Sequence, residues 1–101
     1  MAVQIHKGMY RPATGADELK TRLTQEGFHV FTWQDYPGAS YCEHSHPDDE
    51  LIVVASGSIT FTTANAEYEL SSGDAIDLPA GTVHGAINKG DVPVTYLICT
   101  R

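Results

Sequence analysis

The chain is organised around the stretch Gly38-Ala-Ser-Tyr-Cys-Glu-His44-Ser-His46-Pro-Asp-Asp-Glu50. Successive side chains of a β-strand point to opposite faces of its sheet, so a strand here places His44 and His46 on one face. A Pro-Asp-Asp turn follows, and Glu50 opens the next strand beside His46. Two histidines and one carboxylate form the facial triad that is typical of non-haem iron and related metals. The stretch therefore predicts a metal site.

A second stretch adds one more histidine in a similar setting. It reads Gly73-Asp-Ala-Ile-Asp-Leu-Pro79-Ala-Gly81-Thr-Val-His84-Gly-Ala-Ile-Asn88. A single histidine on a strand is usually a surface or core residue, and that is our interpretation of His6 and His29. The histidine of the second stretch follows a Pro-x-Gly turn at the start of a strand, where it can supply a fourth ligand. We therefore expect one divalent metal to be held by His44, His46, Glu50 and His84.

Short β-prone segments recur on both sides of these stretches and are separated by turn residues such as Pro37-Gly38 and Ser56-Gly57. Regularly spaced short strands with breakers between them are typical of an all-β sandwich or barrel. The segments are Phe28–Trp33, Tyr41–His46, Leu51–Ala55, Ser58–Thr63, Glu67–Leu70, Ala75–Leu78, Val83–Ile87 and Val92–Cys99.

The N-terminal part has a different pattern, so we divide the chain into an extension, residues 1–27, and a β-domain, residues 28–101. Alternating Val3 and Ile5 predict a short edge strand that could pair with another subunit. Residues 14–27 predict the one helix, with Thr14 or Asp17 as its N-cap and Gly27 at its exit. Leu19 and Leu23 would pack on the β-domain because they share one helix face.

Charge and composition exclude several classes of function. The net charge is −7, and residues 28–100 contain ten acids but a single base, Lys89. Binding of nucleic acid or of an anionic membrane needs a basic face, so we expect neither partner. No run is long enough for a membrane helix, and the first residues lack the pattern of a secretory signal. We therefore expect a cytoplasmic protein in which Cys42 and Cys99 are free thiols.

The two stretches resemble the motifs of the cupins at every spacing. The first cupin motif is matched by Gly38, His44, His46, Glu50 and Gly57, and the second by Gly73, Pro79, Gly81, His84 and Asn88. The resemblance covers about half of the chain directly. It implies a single β-barrel of the jelly-roll type, also called a double-stranded β-helix, with one divalent transition metal inside (Fe, Mn, Ni, Zn, Co or Cu). It also implies a homodimer, which the edge strand at Val3 and Ile5 would suit.

The resemblance does not select a reaction, because cupins include dioxygenases, isomerases, lyases, sensor domains and storage proteins. Our leading hypothesis is a metal-dependent enzyme, an oxidoreductase using dioxygen or a lyase or isomerase, that acts on a small oxygenated ligand. The substrate should not be phosphorylated, because phosphate is usually paired with Arg or Lys. The alternatives are a non-catalytic sensor module and a structural metalloprotein.

Two further side chains are candidates for catalysis. Tyr96 has the parity to face inward together with Ile98, and its phenol could donate to a bound oxyanion. Cys42 shares the strand face of His44 under strict alternation and could line the pocket, although a small buried apolar role is the commoner one for such a cysteine. No cofactor other than the metal is expected.

Overall fold

A computed structural model describes residues 3–101, which form nine strands and one helix. The predicted mostly-β architecture with one short helix is confirmed. The elements in chain order are β1 (Gln4–His6), α1 (Ala16–Gln25), β2 (His29–Asp35), β3 (Ser40–His44), β4 (Glu50–Ser56), β5 (Ser58–Thr62), β6 (Glu67–Ser71), β7 (Ala75–Leu78), β8 (His84–Ile87) and β9 (Val94–Thr100).

The strands form two antiparallel sheets that face each other. One has the order β1-β7-β4-β9-β2 and the other the order β3-β8-β5-β6. Among residues 3–101 no strand of one sheet pairs with a strand of the other, so the sheets are not closed into a barrel. The jelly-roll β-barrel that the resemblance implies is thus found as an open pair of facing sheets. Strands β2 and β3 are consecutive in the chain and form edges of different sheets.

The central strand β4 is buried on both faces, which explains its uninterrupted apolar sequence Leu-Ile-Val-Val-Ala. Alternation sends Ile52 and Val54 between the sheets and sends Leu51 and Val53 to the outer face. The inner cluster consists of Ile52, Val54, Ile59, Phe61, Leu70, Ile76, Leu78, Ala86, Val94 and Tyr96. The outer cluster consists of Tyr10, Leu19, Leu23, Leu51, Val53, Ala55, Ala75, Leu97 and Cys99.

The helix α1 covers the outer face of the five-stranded sheet through Leu19 and Leu23, as predicted. Its start differs from the prediction: Gly15 is the N-cap and no side chain caps the helix, so neither Thr14 nor Asp17 has that role. At the other end Gly27 follows the helix with a φ of 99°. No helix within residues 3–101 has the length and apolar character needed to cross a membrane.

The first strand pairs within its own chain. β1 lies antiparallel to β7, with Ile5 opposite Ile76, and Val3 and Ile5 pack against the inner cluster. In this chain β1 itself forms the edge of the five-stranded sheet, where we had expected that the strand could pair with another subunit. The extension predicted for residues 1–27 therefore supplies both an edge strand and the helix that covers the sheet.

The carboxylate of Asp74 ties this extension to the sheets. Its side chain is fully buried and accepts hydrogen bonds from the backbone N–H of Gly8 at 2.7 Å and of Ser71 at 3.0 Å. Lys7 Nζ and Arg11 Nη2 each approach it at 3.3 Å. Burial by itself would raise the pKa of Asp74, but the hydrogen bonds from Ser71 and Gly8 and the Lys7 ammonium outweigh it, so the pKa lies below its ordinary value.

Replacing Asp74 by asparagine is expected to lower the free energy of unfolding at pH 7 by about 2–3 kcal/mol, because buried donors lose a charged acceptor. A depressed pKa adds stability above the ordinary carboxyl pKa, and this stability is lost as the pH falls through the folded-state value. The difference between wild type and D74N should therefore shrink in acid. Urea unfolding from pH 7 to pH 3 measures it, with exposed Asp91→Asn as the control. A difference that is constant with pH would contradict this account.

Candidate metal centre

A β-bulge aims the histidines of β3 and β8 at each other. Tyr41 pairs with Ala86 and His44 pairs with His84, so Cys42 and Glu43 together lie opposite the single residue Gly85. A bulge of this kind inserts one residue and reverses the facing of the side chains that follow it. The partner position must be small: a Cβ on Gly85 would lie 2.9 Å from Thr62 Oγ1 and 3.0 Å from the Tyr41 carbonyl oxygen.

Three of the four predicted ligands come together at this point. His44, His46 and His84 each offer a ring nitrogen, and these atoms all lie within 4.8 Å of one another. The ring centroids are 4.5 Å apart for His44 and His84, 4.8 Å for His44 and His46, and 5.3 Å for His46 and His84. Two nitrogens bound at about 2.1 Å to one tetrahedral ion are about 3.4 Å apart, so a pair at the 4.8 Å limit needs to approach by about 1.4 Å. The donor set fits a divalent metal.

Backbone carbonyls set the tautomers of two of these rings. The Cys42 carbonyl oxygen lies 2.7 Å from His44 Nδ1, and the Thr82 carbonyl oxygen lies 2.9 Å from His84 Nδ1. A carbonyl only accepts hydrogen bonds, so each Nδ1 carries the proton and each Nε2 keeps a free lone pair. Burial lowers the pKa of His84, and the neighbouring His44 and His46 lower it further, against the Thr82 hydrogen bond. Both effects favour the neutral imidazole that ligates metals.

Glu50 lies beside the histidines but outside their cluster of ring nitrogens. Its side chain is largely buried, and Oε2 is 3.8 Å from His46 Nδ1. The loops that carry the two motifs are joined at this end of the molecule, because the Gly81 N–H donates to the His46 carbonyl and the Ala80 N–H donates to Asp49 Oδ1. Asp49, an exposed residue of the turn after His46, therefore links the two loops.

The histidines lie at one end of a cavity of about 380 Å³ between the sheets, a size that suits a small molecule. Its lining is mostly hydrocarbon and aromatic, and in the described part of the chain it includes no lysine or arginine. The lining residues are Phe31, Trp33, Tyr41, His44, His46, Glu50, Ile52, Phe61, His84, Ala86, Tyr96 and Ile98. A larger depression of about 750 Å³ on the other side of Glu50 is lined by none of the three histidines.

The two catalytic candidates have different outcomes. Cys42 is exposed and does not line the cavity, so both the pocket role and the buried apolar role are wrong for it. The bulge is the cause, since it turns Tyr41 rather than Cys42 toward the side of His44. Tyr96 does face inward beside Ile98, as its parity predicted. Its hydroxyl donates to Asp35 Oδ2 at 2.6 Å, so the proton is already engaged.

Asp35 is the site feature that sequence reasoning missed. This carboxylate, only 7% exposed, also accepts hydrogen bonds at Oδ1 from the Tyr41 hydroxyl at 2.7 Å and from Trp33 Nε1 at 3.1 Å. Burial and the hydrogen bond to Asp35 raise the pKa of Tyr96, and the bond to Asp35 is the main cause of the raised pKa of Tyr41. Both phenols therefore stay protonated at neutral pH. The signal in the sequence was an acid at the end of a β-prone segment, next to the Tyr36-Pro-Gly turn.

Asn88, the last residue of the second motif, has a structural role. Its side-chain amide is 1% exposed and donates to the carbonyl oxygens of Asp35 and Val92, while its Oδ1 accepts from the Gly90 N–H. It thereby holds the end of β2 against the loop that precedes β9.

Comparison with known proteins gives one family. A family model described as a cupin domain matches residues 31–100. Among curated proteins, conglutin beta 3 of Lupinus angustifolius is 30% identical over 89 residues, which cover 83% of this chain and 15% of the conglutin. The chain thus spans only a small part of the length of that relative.

Solved structures with the same fold include proteins of different kinds. An uncharacterized conserved protein with a double-stranded β-helix domain from Klebsiella pneumoniae has a TM-score of 0.64 and 29% identity, over 70% of this chain and 64% of that one. A chain from the crystal structures of the DMSP lyases RdDddP and RnDddQII has a TM-score of 0.67 and 31% identity, over 73% of this chain and 38% of that one.

Proposed function

The chain belongs to the cupin family, and on that premise we propose that it is a metal-dependent enzyme acting on a small, oxygenated, non-phosphorylated molecule. The observation that carries this proposal is the convergence of His44, His46 and His84 at one end of an open cavity. Cupins commonly bind a metal at such a set of histidines, and Glu50 beside His46 is our proposed fourth ligand.

The roles of the residues follow from their contacts. A bound divalent metal would supply a Lewis acid or, if redox-active, a centre for oxidation by dioxygen. The carbonyl-bonded rings of His44 and His84 keep their Nε2 atoms unprotonated for ligation. The mostly apolar lining would shield part of a bound molecule from water. The absence of lysine and arginine from the lining in residues 3–101 supports the exclusion of phosphorylated substrates.

Two reaction classes are retained: lyase or isomerase chemistry, and oxidation by dioxygen. The 31% identity to a chain of the DMSP lyase structures supports testing the lyase class first, although the match covers 38% of that chain. We further propose a homodimer in the cytoplasm, as inferred from sequence.

The test begins with protein loaded separately with iron, manganese or zinc and assayed for metal content. Each form is incubated with a panel of hydroxy acids, phenols and small carboxylates while oxygen uptake and product formation are followed. We expect turnover in at least one metal form, with oxygen uptake marking an oxidoreductase and its absence marking a lyase or isomerase. Ligand binding without turnover in every metal form would replace the enzyme by a sensor module. If the protein holds a metal but none of the compounds binds to it, the protein is a structural metalloprotein.

A further inference from the structure

The wall of the cavity away from the histidines offers no free hydrogen-bond donor. The Tyr96 hydroxyl donates a hydrogen bond to Asp35 Oδ2, and the Tyr41 hydroxyl donates one to Asp35 Oδ1. The Trp33 indole N–H is shared between Asp35 Oδ1 and the Tyr41 oxygen, both at 3.1 Å. The three polar side chains that face this end of the cavity thus all donate their hydrogen bonds to one buried carboxylate.

Charge at this end also disfavours a second ionic group on the ligand. A carboxylate or phosphate placed there would meet the Tyr41, Tyr96 and Trp33 side chains, whose donors already bond to Asp35, and would find no counterion. Lys89, the single base of residues 28–100, is held by Glu67 at 3.0 Å and does not line the cavity. An ionic group without a partner in such a place is costly to desolvate.

Apolar and aromatic surface fills the remaining lining. Ile52, Phe61 and Ile98 form the inner wall, and Phe31 and Trp33 flank the mouth with their rings edge to face, 6.2 Å between centroids. Phe31 is 64% exposed and Trp33 46% exposed, so both present ring surface that a bound molecule would cover. Aromatic side chains of this kind favour flat apolar groups.

We infer that the cavity takes a molecule with a single metal-binding oxygen group and an uncharged, flat apolar body. The oxygen group faces the histidines, and the body lies against Phe31, Trp33 and Ile98. Dicarboxylates and polyhydroxylated sugars are thereby disfavoured. The orientation of the oxygen group rests on the proposed function, whereas the character of the body rests on the lining alone.

Three hydroxamates that share one chelating head test the inference: acetohydroxamate with a methyl tail, benzohydroxamate with a phenyl tail, and succinate monohydroxamate with a carboxylate tail. They are titrated into the cobalt-loaded protein. The visible spectrum of cobalt shows whether the chelating head binds the metal. The fluorescence of Trp33, the single tryptophan of the chain, shows whether the tail binds near it. We expect the phenyl compound to bind at least about tenfold more tightly than the methyl compound because it buries more apolar area. The carboxylate compound should bind more weakly than either.

Two exposed aromatic residues provide a matched pair of variants. Phe31 lines the cavity, whereas Tyr36, which is 69% exposed, does not. Phe31→Ser should lower the preference for phenyl over methyl about threefold or more, and Tyr36→Ser should leave it unchanged. Equal affinity for the phenyl and methyl compounds, or tighter binding of the carboxylate compound, would overturn the inference while leaving the metal site intact.

A metal-free arm separates this inference from the proposed function. If no cobalt spectrum appears, the proposed metal centre fails, and the tail is tested on the metal-free protein with benzyl alcohol and propylene glycol. Methyl resonances of Ile52 and Ile98 should shift with benzyl alcohol and not with propylene glycol. Shifts of equal size with both compounds, or no shift with either, would overturn the inference in that case.

Discussion

Replacing His84 by alanine is expected to lower the affinity for a divalent metal by roughly 100-fold or more, because loss of a ligand should exceed the 10–100-fold effect of losing an outer-shell partner. His84 is 3% exposed and pairs with His44 immediately beside the bulge. Its Nε2 is left free by the bond between Nδ1 and the Thr82 carbonyl. Metal content after purification and competition with a zinc-binding dye measure the loss.

Exposed His29 provides the control, since it lies on β2 and does not line the cavity. His29→Ala should retain one metal per chain. His46→Ala, at a half-buried position, repeats the test where truncation disturbs the core less. Thermal unfolding followed by circular dichroism shows whether each variant is folded. Full metal content in folded variants lacking His84 or His46 would reject the site.

Replacing Gly57 by alanine should cost about 2–5 kcal/mol of unfolding free energy, the largest loss that we expect from adding one methyl group. Gly57 connects β4 to β5 with a φ of 76°, where an L-residue pays about 1–2 kcal/mol. A Cβ there would lie 2.5 Å from the Pro93 carbonyl oxygen and 2.9 Å from Val94 Cα. Both are backbone atoms, so the strand start must move, which adds about 1–3 kcal/mol.

Gly38 separates the two contributions. It has a φ of 87°, but a Cβ there would meet nothing within 4 Å. Gly38→Ala should therefore cost only the backbone penalty of about 1–2 kcal/mol. Urea unfolding of both variants gives the comparison. Equal losses would show that the contact between Gly57 and the start of β9 is unimportant.

Alternation along the strands was sufficient to predict the inward face of much of the sheet, whereas His84 was inferred as a ligand from its position after the Pro-x-Gly turn. Alternation failed for Tyr41 and Cys42 because the bulge adds one residue between Tyr41 and His44, and strict alternation then assigns the wrong face to the residues before it. The small residue Gly85 opposite the bulge was the available sign, but a glycine in a strand does not by itself distinguish a bulge from a tight turn.

The cluster around Asp35 could not be predicted from spacing. Its partner Tyr96 is 61 residues away in the chain, and the two meet only because β2 pairs with β9. Asp49 was missed for a similar reason, since its partner Ala80 belongs to a loop 31 residues further on. Interactions within one strand were readable from the sequence, whereas those between distant loops depended on the assembled sheets.

Because β4 is buried on both faces, the residues that affect stability lie on one face and a residue that affects ligand preference lies on the other. Leu51, Val53 and Ala55 belong to the outer cluster that helix α1 covers, whereas Ile52 lines the cavity. Variation at the odd-numbered positions can therefore tune heat resistance without altering what the cavity accepts. Variation at position 52 can reshape ligand preference from the same strand. Natural or laboratory evolution can therefore change thermal stability and ligand preference separately within this one stretch of five residues.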